Sequence, residues 1–285
     1  MTDPTLPTVL IAGCGDLGIE TGRRFAALGH RVVGLRRDAS KIPAPLHGVS
    51  IDLRREIPEV TPDVGIVVVA VAAGERSAEA YRATYLDGLR NVLDGVERAG
   101  VSPRILLVSS TAVYDVDDGS VVDESTPATS AAPTATVLRE TEELLAERAP
   151  GGVILRLGGI YGPGRDRTFT QVREGRARIP AVPRHLNHLH RDDAAEAIVH
   201  LTTRVEDPAP LYLGVDDDPA DVGETLAFIA RELDLPEPFR ESAAEGGRAG
   251  GPGDKRCSNA LLRSTGFMFA YPSYREGYPP LLRGE

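Results

Sequence analysis

The sequence predicts an α/β fold, in which a doubly wound parallel sheet is accompanied by a smaller C-terminal lobe. Short apolar runs rich in β-branched residues alternate with helical patterns along most of the 285 residues. A glycine-rich loop follows the first run, and the second run comes at the spacing of a βαβ unit. The predicted bounds are 1–165, joined by 191–216, for the sheet domain, and 166–190 with 217–285 for the lobe.

The amino-acid composition limits the kinds of molecule that the protein is expected to bind. The formal net charge is −10 and the pI is about 5.2, which argues against general binding to nucleic acid or to anionic membranes. The apolar run 64–73 is too short to span a bilayer, and residues 1–7 lack the basic start of a signal peptide. Two cysteines, Cys14 and Cys257, do not indicate a disulfide framework. We therefore expect a cytoplasmic protein that acts on a small molecule.

The glycine loop has the spacing G-x-G-x-x-G, with a strand before it and a helix after it. The first glycine allows a tight turn, the second lets a pyrophosphate approach the backbone, and the third lets the helix lie close to the strand. The pattern predicts a Rossmann-type dinucleotide site, against the alternative of a glycine-rich turn that holds no nucleotide. The predicted cofactor-binding residues here are Gly13, Gly15, Asp16, Leu17 and Gly18.

The end of the second strand indicates which dinucleotide is bound. An acidic residue there would accept a hydrogen bond from the ribose 2′-hydroxyl of NAD. The chain instead carries Arg36 and Arg37. A guanidinium cannot accept from a hydroxyl, but it pairs bidentately with a 2′-phosphate. The prediction is NADP(H), and the alternative is a solvated basic turn.

Further cofactor contacts are predicted at the ends of the other strands, because open α/β sheets bind ligands at the carboxyl ends of their strands. One short strand would end near the adenine, the apolar run 64–72 would lie in the centre of the sheet, and the run 104–108 leads into a pair of serines. The residues predicted in this way are Asp52, Leu53, Val69, Ala70, Val71 and Ser109.

Several segments in the same order resemble landmarks of the extended short-chain dehydrogenase/reductases, also described as the NAD-dependent epimerase/dehydratase family. These segments are the glycine loop, 109–114 (SSTAVY), 157–165 (LGGIYGPGR), 187–195 (NHLHRDDAA) and 211–215 (LYLGV). The resemblance implies a dinucleotide-binding domain, a lobe that binds the substrate, and a homodimer formed through helices at about 77–100 and 135–148.

The resemblance also implies a Tyr-x-x-x-Lys pair that handles the proton of the substrate oxygen. Aligned with the family, this chain has Thr134 in the place of the tyrosine and Leu138 in the place of the lysine. The chain contains two lysines, Lys41 and Lys255, and neither follows a tyrosine at that spacing. A further departure is Tyr85, which occupies the helix position where the family carries a catalytic asparagine.

Three hydroxyl groups are candidates for the catalytic site. Ser110 stands in the place of the family's catalytic serine, and its alternative role is to bind a backbone group at a strand end. Thr134 is either a catalytic hydroxyl or a helix cap. Tyr114 could substitute as a proton donor or could be packed structurally.

Substrate-binding candidates come from the later motifs. Tyr161 lies on a predicted strand-end loop, Arg165 could hold an anionic group or be solvated, and His190 could line the pocket. His185, His188 and His190 could be interpreted as a metal site, but their spacing matches no established zinc signature, so a metal site is not predicted. The glycine-rich segment 241–254 is interpreted as a mobile loop that could close as a lid.

Three alternative functions follow from these residues. The first is an NADP(H)-dependent oxidoreductase or epimerase/isomerase that acts on a small carbonyl, hydroxyl or sugar-linked substrate. The second is a non-catalytic NADP-binding sensor, which the missing tyrosine and lysine favour. A redox-neutral enzyme on the same fold is a third reading.

Overall fold

A computed structural model describes residues 6–242 and 253–284. Most of the segment predicted to be a mobile loop, 243–252, lies outside the described residues. The strands are β1 (Thr8–Ala12), β2 (Val32–Arg36), β3 (His47–Ser50), β4 (Val64–Val69), β5 (Arg104–Ser110), β6 (Val121–Val122), β7 (Val153–Leu157), β8 (Gly159–Tyr161), β9 (Arg178–Ile179), β10 (His185–Leu186), β11 (His188–His190), β12 (Leu211–Gly214), β13 (Ala220–Asp221), β14 (Phe239–Arg240) and β15 (Arg256–Cys257).

Helices connect the longer strands. They are α1 (Asp16–Ala27), α2 (Ala78–Tyr81), α3 (Gly88–Ala99), α4 (Pro133–Arg148), α5 (Arg167–Arg173), α6 (Arg191–Thr203), α7 (Val222–Glu232), α8 (Ala260–Ser264) and α9 (Tyr274–Arg283). Within the two described ranges, no helix is long and apolar enough to cross a membrane.

The main sheet has seven strands in the order β12-β7-β5-β4-β1-β2-β3. The pairs β1–β2, β2–β3, β1–β4 and β4–β5 are all parallel. From β1 the chain builds outward to β3 and then returns to place β4 on the other side of β1. The strand order therefore reverses between β1 and β4, which is where such sheets bind ligands. The predicted doubly wound parallel sheet is confirmed.

The chain divides into two compact units, and each is described by itself. The first unit comprises Met1–Val113, Ala128–Arg156 and Ala194–Tyr212, and the second comprises Tyr114–Pro127, Leu157–Asp193 and Leu213–Glu285. The domain bounds expected from the sequence remain a prediction.

The core of the first unit lies between the sheet and its helices. Strands β1 and β4 supply apolar side chains that are almost completely buried, as expected of central strands covered on both faces. Helix α3 packs one apolar stripe against them, with Leu89, Val92, Leu93 and Val96 all buried. Gly100 ends this helix in the left-handed conformation.

One predicted helix is wrong in its detail. The sequence predicts a single helix over about 77–100, but the segment consists of α2, a π-helical turn at Arg82–Asp87, and α3. The apolar spacing indicates which face is buried, but it does not report the extra residue that a π-helical turn inserts. Helix α7 begins at Val222, because Ala220 and Asp221 just before it pair with β10.

The core of the second unit is rich in aromatic rings. Helices α5, α7 and α9 pack together around Ile179, Ile229, Phe169 and Tyr274. The ring of Tyr278 lies at right angles to that of Phe169, with centroids 5.0 Å apart. This edge-to-face arrangement is favoured between aromatic rings.

A buried ion pair joins three elements of the first unit. Glu142 on α4 accepts two hydrogen bonds from Arg156 on β7, at 3.0 Å from Nε and 2.6 Å from Nη2. It also accepts one from the hydroxyl of Ser109 on β5, at 2.5 Å. Both charged side chains are less than a tenth exposed. The pair therefore fixes α4 against the strand that leads to Ser110.

We expect Arg156→Met to lower the free energy of unfolding by about 3–5 kcal/mol, because Glu142 would be left buried without its partner. Arg148→Met is the matched control, since Arg148 pairs with Asp94 and Glu97 nearer the surface, where such pairs contribute about 0–1 kcal/mol. Urea unfolding measures both values. Equal losses in the two variants would contradict this account of the pair.

Candidate functional site

The glycine loop connects β1 to α1 at the point where the strand order reverses. Gly13 has φ +88°, and the amides of Gly13 and Cys14 donate to the carbonyl of Leu35 at 3.1 and 2.9 Å. A Cβ on Gly13 would lie 2.7 Å from the carbonyl oxygen of Ala70. Only glycine fits here, because both the conformation and the close contact exclude a side chain.

The same loop presents the N-terminus of α1 as an anion site. A Cβ on Gly18 would meet the Gly13 oxygen at 2.8 Å, so this glycine brings the helix close to the strand. Gly15 is the N-cap residue, and no side chain caps this helix within the part of the chain that the structure describes. The backbone amides at the start of this helix have no side-chain cap, and Gly15 has no side chain that would block access to them. Such a helix start fits the pyrophosphate of a dinucleotide. Of the other predicted residues, Asp16 is exposed and Leu17 is buried in the first turn of α1.

Burial makes the thiol of Cys14 a structural group. The residue is fully buried after β1, and its sulfur lies close to Gly34 on β2. Burial raises the pKa of the thiol to about 11, and the positive charge of Arg36 lowers it by less. Cys14 is therefore a neutral thiol at physiological pH, without the thiolate that reactive cysteines need.

Arg36 is the last residue of β2 and is half-buried. It makes no salt bridge within the described residues. The two nearby carboxylates have other partners. Asp38 accepts from the amide and hydroxyl of Ser40 at 3.2 and 2.6 Å. Asp52 accepts two hydrogen bonds from Arg54 at 2.8 and 2.6 Å, which hold its pKa at about 2.

Arg37, Leu53 and the residues after β4 complete the set predicted for the cofactor. Arg37 is exposed, whereas Leu53 is buried in the core of the first unit. Val69 ends β4, and the amide of Ala70 donates to the carbonyl of Ala12 at 2.8 Å. Val71 is half-buried beside Gly13. The structure thus brings the end of β4 against the glycine loop.

The hydroxyls of the first unit have different surroundings. Ser109 is buried and bonded to Glu142. Ser110 is half-buried at the end of β5, and its oxygen accepts from the amide of Ala112 at 3.2 Å. This contact leaves the hydroxyl proton of Ser110 able to donate to a substrate. Thr134 is half-buried in the first turn of α4, whose N-cap is Ala132. The alternative that Thr134 caps the helix is therefore wrong, because the helix starts before it.

Residues 9–212 match the sequence profile of the NAD dependent epimerase/dehydratase family. This match covers more than half of the chain and spans the glycine loop, the serine strand and α4. The chain belongs to this family. The resemblance noted in the motifs is confirmed.

Known proteins are similar to this chain over almost its whole length. A 3-diazoavenalumate denitrifying reductase of a Streptomyces species is 31% identical over 94% of this chain and 98% of its own. A solved structure from Methylobacillus flagellatus, assigned as an NAD-dependent epimerase/dehydratase, is 35% identical with a TM-score of 0.80, covering 98% of this chain and 99% of its own. The Thermus thermophilus UDP-glucose 4-epimerase, solved with NAD, is 19% identical with a TM-score of 0.76 and covers 97% of each chain. This last likeness shows the fold alone.

The assignment of Thr134 and Leu138 on α4 to the places of the family's tyrosine and lysine remains a prediction. Leu138 is 4% exposed and apolar. Of the two lysines, Lys41 is exposed in a short 3-10 turn after β2 and Lys255 belongs to the second unit. A threonine hydroxyl without a lysine beside it cannot shuttle a proton near neutral pH.

The π-helical turn carries Tyr85. Its ring lies 5.0 Å from that of Tyr81, measured between centroids. Burial and the nearby Tyr81 raise the pKa of the Tyr85 phenol to about 12, and a hydrogen bond with the backbone of Ala73 opposes this shift. Ala73 follows β4, so the phenol lies near the carboxyl end of that strand. As a neutral group it can donate a hydrogen bond there.

In the second unit, the phenols predicted to be functional are engaged by the backbone. Tyr114 is 2% exposed and donates to the carbonyl of Asp123 at 3.1 Å. Tyr161 is buried and donates to the carbonyl of Ser273 at 3.3 Å. Burial, with a smaller contribution from Asp216, raises the pKa of Tyr161 well above its usual value. The catalytic and substrate-binding roles of these tyrosines remain predictions.

His190 and Arg165 occupy different environments in the same unit. His190 is 2% exposed, accepts from the amide of Asp192 at 3.1 Å and stacks on Tyr271 with centroids 3.9 Å apart. Arg165 is exposed on the loop after β8. Across residues 6–242 and 253–284, no group of three or more His, Cys, Asp or Glu side chains could hold a metal ion.

Asp216 is a buried acid that the sequence does not reveal. It is 3% exposed, its Oδ1 accepts from the amide of Asp218 at 3.2 Å, and its Oδ2 has no hydrogen-bond partner within the described chain. Burial raises its pKa to about 8. In sequence it is the first of three successive aspartates after β12, and only the fold shows that this one is turned inward.

The raised pKa of Asp216 makes the stability of the protein depend on pH. In the unfolded state Asp216 has a pKa of 3.8 and loses its proton above that pH, whereas the folded state keeps the proton up to about pH 8. The free energy of unfolding therefore falls as pH rises from about 4 to about 8. Asp216→Asn removes this dependence. We expect the variant to gain stability relative to wild type across this range, on the order of a few kcal/mol in total.

Denaturant unfolding at a series of pH values measures this difference. Asp118→Asn is the control, because the Ser120 hydroxyl lowers the pKa of this exposed carboxyl and places its titration below the range. A constant difference between wild type and Asp216→Asn from pH 4 to 8 would show that Asp216 is ionised throughout.

Proposed function

We propose that this protein is an NADPH-dependent reductase that delivers a hydride to the carbon of an aryl diazonium group and releases dinitrogen. One observation carries the proposal: the site contains neutral hydroxyls but no acid–base pair. Thr134 and Leu138 stand where a tyrosine and a lysine would be. The proposed reaction must therefore be one that needs no proton from the protein.

Reduction of a carbonyl needs such a proton. Hydride addition to a carbonyl carbon leaves an alkoxide, and an enzyme accelerates this step by protonating the oxygen as the charge develops. Removing the acid from such a site costs typically 10²–10⁴-fold in rate. A carbonyl reductase with this set of side chains would be slow.

The carbon of a diazonium group can accept a hydride without any proton from the protein. The carbon gains the hydride and its electron pair, while the C–N bond breaks and its own pair leaves with dinitrogen. The positive charge of the diazonium group is cancelled, so no new anion forms. What the protein must supply is position and orientation, which alone lower barriers substantially. The name of the Streptomyces relative, a denitrifying reductase of a diazo compound, supports this assignment.

A nicotinamide dinucleotide would supply the hydride, and the residues present fit one. The uncapped amides at the start of α1 would hold the pyrophosphate, with Gly15 allowing its approach. Arg36 would pair with the 2′-phosphate, since the neighbouring carboxylates of Asp38 and Asp52 are held by Ser40 and Arg54. Ser110 and Tyr85 would donate hydrogen bonds near the carboxyl ends of β5 and β4.

The preference for NADPH can be measured directly. We expect NADPH to bind at least tenfold more tightly than NADH, and Arg36→Ala to abolish this preference, because a hydrogen bond to a charged group contributes about 1.5–3 kcal/mol. Arg31→Ala is the control, because Arg31 precedes the same strand at its opposite end and pairs with Asp63. Fluorescence titration of the three proteins with both cofactors gives the six dissociation constants. Equal affinities of wild type for NADPH and NADH would show that Arg36 does not bind the 2′-phosphate.

The reaction is tested by stoichiometry. Purified protein with NADPH and an aryl diazonium salt should consume one NADPH for each dinitrogen released, with the deuterium of 4-deuterated NADPH appearing on the aromatic carbon. Reduction of matched aryl aldehydes should be slower by at least about 10²-fold, because they need the missing acid. Tight NADPH binding without any turnover would instead support the sensor, and efficient aldehyde reduction would overturn the proposal.

A further inference from the structure

The connection between β3 and β4 leaves part of the main sheet without a covering helix. Residues 51–63, all of which the structure describes, join these two strands without forming a helix or a strand of their own. Parallel strands are usually joined by a helix, which covers the apolar face of the sheet. Here an irregular segment passes over β2 and β1 instead, because these two strands lie between β3 and β4 in the sheet.

A cavity of about 220 Å³ lies between this segment and the sheet. Its floor is formed by apolar side chains from strands β1 to β4, and Pro58 of the connecting segment also lines it. Val49 lines the cavity together with the residues two before and two after it, as side chains on one face of a strand do. The apolar residues of the floor are Leu10, Val33, Leu35, Val49, Ile51 and Val64.

The cavity is separate from the predicted cofactor site. Leu10 belongs to the core cluster that includes α3, whereas its neighbour Ile11 points to the other face, where its Cδ1 would lie 3.2 Å from a Cβ on Gly22 of α1. The cavity therefore lies on the face of the sheet opposite α1. All of its lining residues belong to the first unit, and none of them is predicted to contact the cofactor.

The connecting segment is held in place by α3. A Cβ on Gly95 would lie 2.7 Å from the carbonyl oxygen of Pro58, so the helix packs directly on the segment. The side-chain amide of Asn91, on the same helix, donates to the carbonyl of Leu53 at 2.8 Å. A ligand would therefore enter a preformed site, and little of its affinity would be lost in ordering the protein.

The exposure of the lining residues suits a small molecule better than a protein. Leu10 and Leu35 are 1% and 2% exposed, so they form the base of the cavity. Among the apolar residues of the floor, all of them within the described chain, Val49 alone is exposed. A specific protein interface buries about 1,000 Å² or more, which one exposed apolar side chain does not provide. The polar residues that surround the opening are Arg31, His47, Glu59 and Thr61.

The charges around the opening disfavour an ionic ligand. The guanidinium of Arg31 lies 3.4 Å from the carboxylate of Asp63, so this pair is neutral overall. The exposed carboxylate of Glu59 would repel an anion. A cation would have to leave water over a floor that contains no carboxylate, and such a transfer is costly.

We propose that this cavity binds a small, uncharged molecule with a single aromatic ring. An apolar cavity of about 150 Å³ can bind benzene, so a volume of about 220 Å³ admits one ring with a short substituent. A flat ring would cover the apolar floor between the sheet and Pro58. The inference goes beyond the proposed reaction and does not depend on it, so a failure of diazonium reduction would leave it unaffected.

Binding of stable probes tests the inference. Phenol is compared with benzoate and with benzylammonium by calorimetry, in the presence of saturating NADP⁺. We expect phenol to bind at least about tenfold more tightly than either ion, because each ion would lose hydration that the apolar floor does not replace. Absence of phenol binding, or binding of either ion as tight as that of phenol, would overturn the inference.

A substitution that fills the cavity tests its position. Val49→Phe should weaken phenol binding by at least about tenfold, because the larger side chain would occupy the space of the ligand. Val121→Phe is the matched control, since Val121 is an exposed valine on β6 in the second unit. We expect this control to bind phenol as wild type does, and both variants to keep the melting temperature and the NADPH affinity of wild type. Unchanged phenol binding in Val49→Phe, or an equal loss in both variants, would contradict the assignment.

NMR of valine methyl groups locates the ring in the wild-type protein. Phenol should shift the methyl signals of Val33, Val49 and Val64, which line the cavity, and leave those of Val121 unchanged. Shifts confined to Val71, which lies beside the glycine loop, would place phenol at the proposed active site and would overturn the inference. A wild-type dimer that Val49→Phe dissociates, without phenol shifts, would identify a second copy of the chain as the occupant and would equally overturn it.

Discussion

The close contact between the Gly13 backbone and the chain leaving β4 is the constraint on which the first unit depends. The contact leaves no room for a Cβ, and it brings the ends of β1, β2 and β4 together through hydrogen bonds to Leu35 and from Ala70. The uncapped start of α1 lies directly after it. One steric requirement thus places both the anion site and the strand ends that surround it.

The hydroxyl candidates of the first unit, Ser110, Thr134 and Tyr85, are neutral side chains, and Leu138 on α4 is apolar. The charged groups of the first unit's interior are instead committed to structure, as in the pair of Glu142 and Arg156. A site of this kind favours reactions that create no negative charge in need of protonation. The proposed electrophile, a diazonium group, meets this condition because it loses its positive charge on reduction.

The second unit shows the opposite pattern, with ionisable groups buried and incompletely paired. Asp216 has an oxygen without a partner, and Lys255 has an ammonium without one among the described residues. Each buried group costs stability that an apolar side chain of similar size would not. His188 adds to this pattern, since burial lowers its pKa to about 4 and keeps its ring neutral.

Short-range patterns were sufficient to predict the parallel sheet, the glycine loop and the family. Strand and helix periodicity depend on which faces are buried, and the loop depends on glycines at fixed spacing, so both can be read locally. The sequence also shows directly that no lysine follows a tyrosine at the spacing Tyr-x-x-x-Lys, because a residue type is either present or absent. The π-helical turn was not predicted, since its extra residue changes the hydrogen-bond register without changing the apolar pattern.

The sequence by itself therefore determined the fold class, the family and the absence of a Tyr-x-x-x-Lys pair. Tertiary structure alone decided which charges are buried and which are paired. Asp216 is indistinguishable in sequence from Asp217, yet the latter pairs with Arg263 while the former faces the interior. Lys255 and Arg256 are adjacent cations, and only the pairing of β15 with β6 and the amide of Asn187 turn one inward and the other outward. Burial is a property of the packed chain, because it depends on residues far away in sequence.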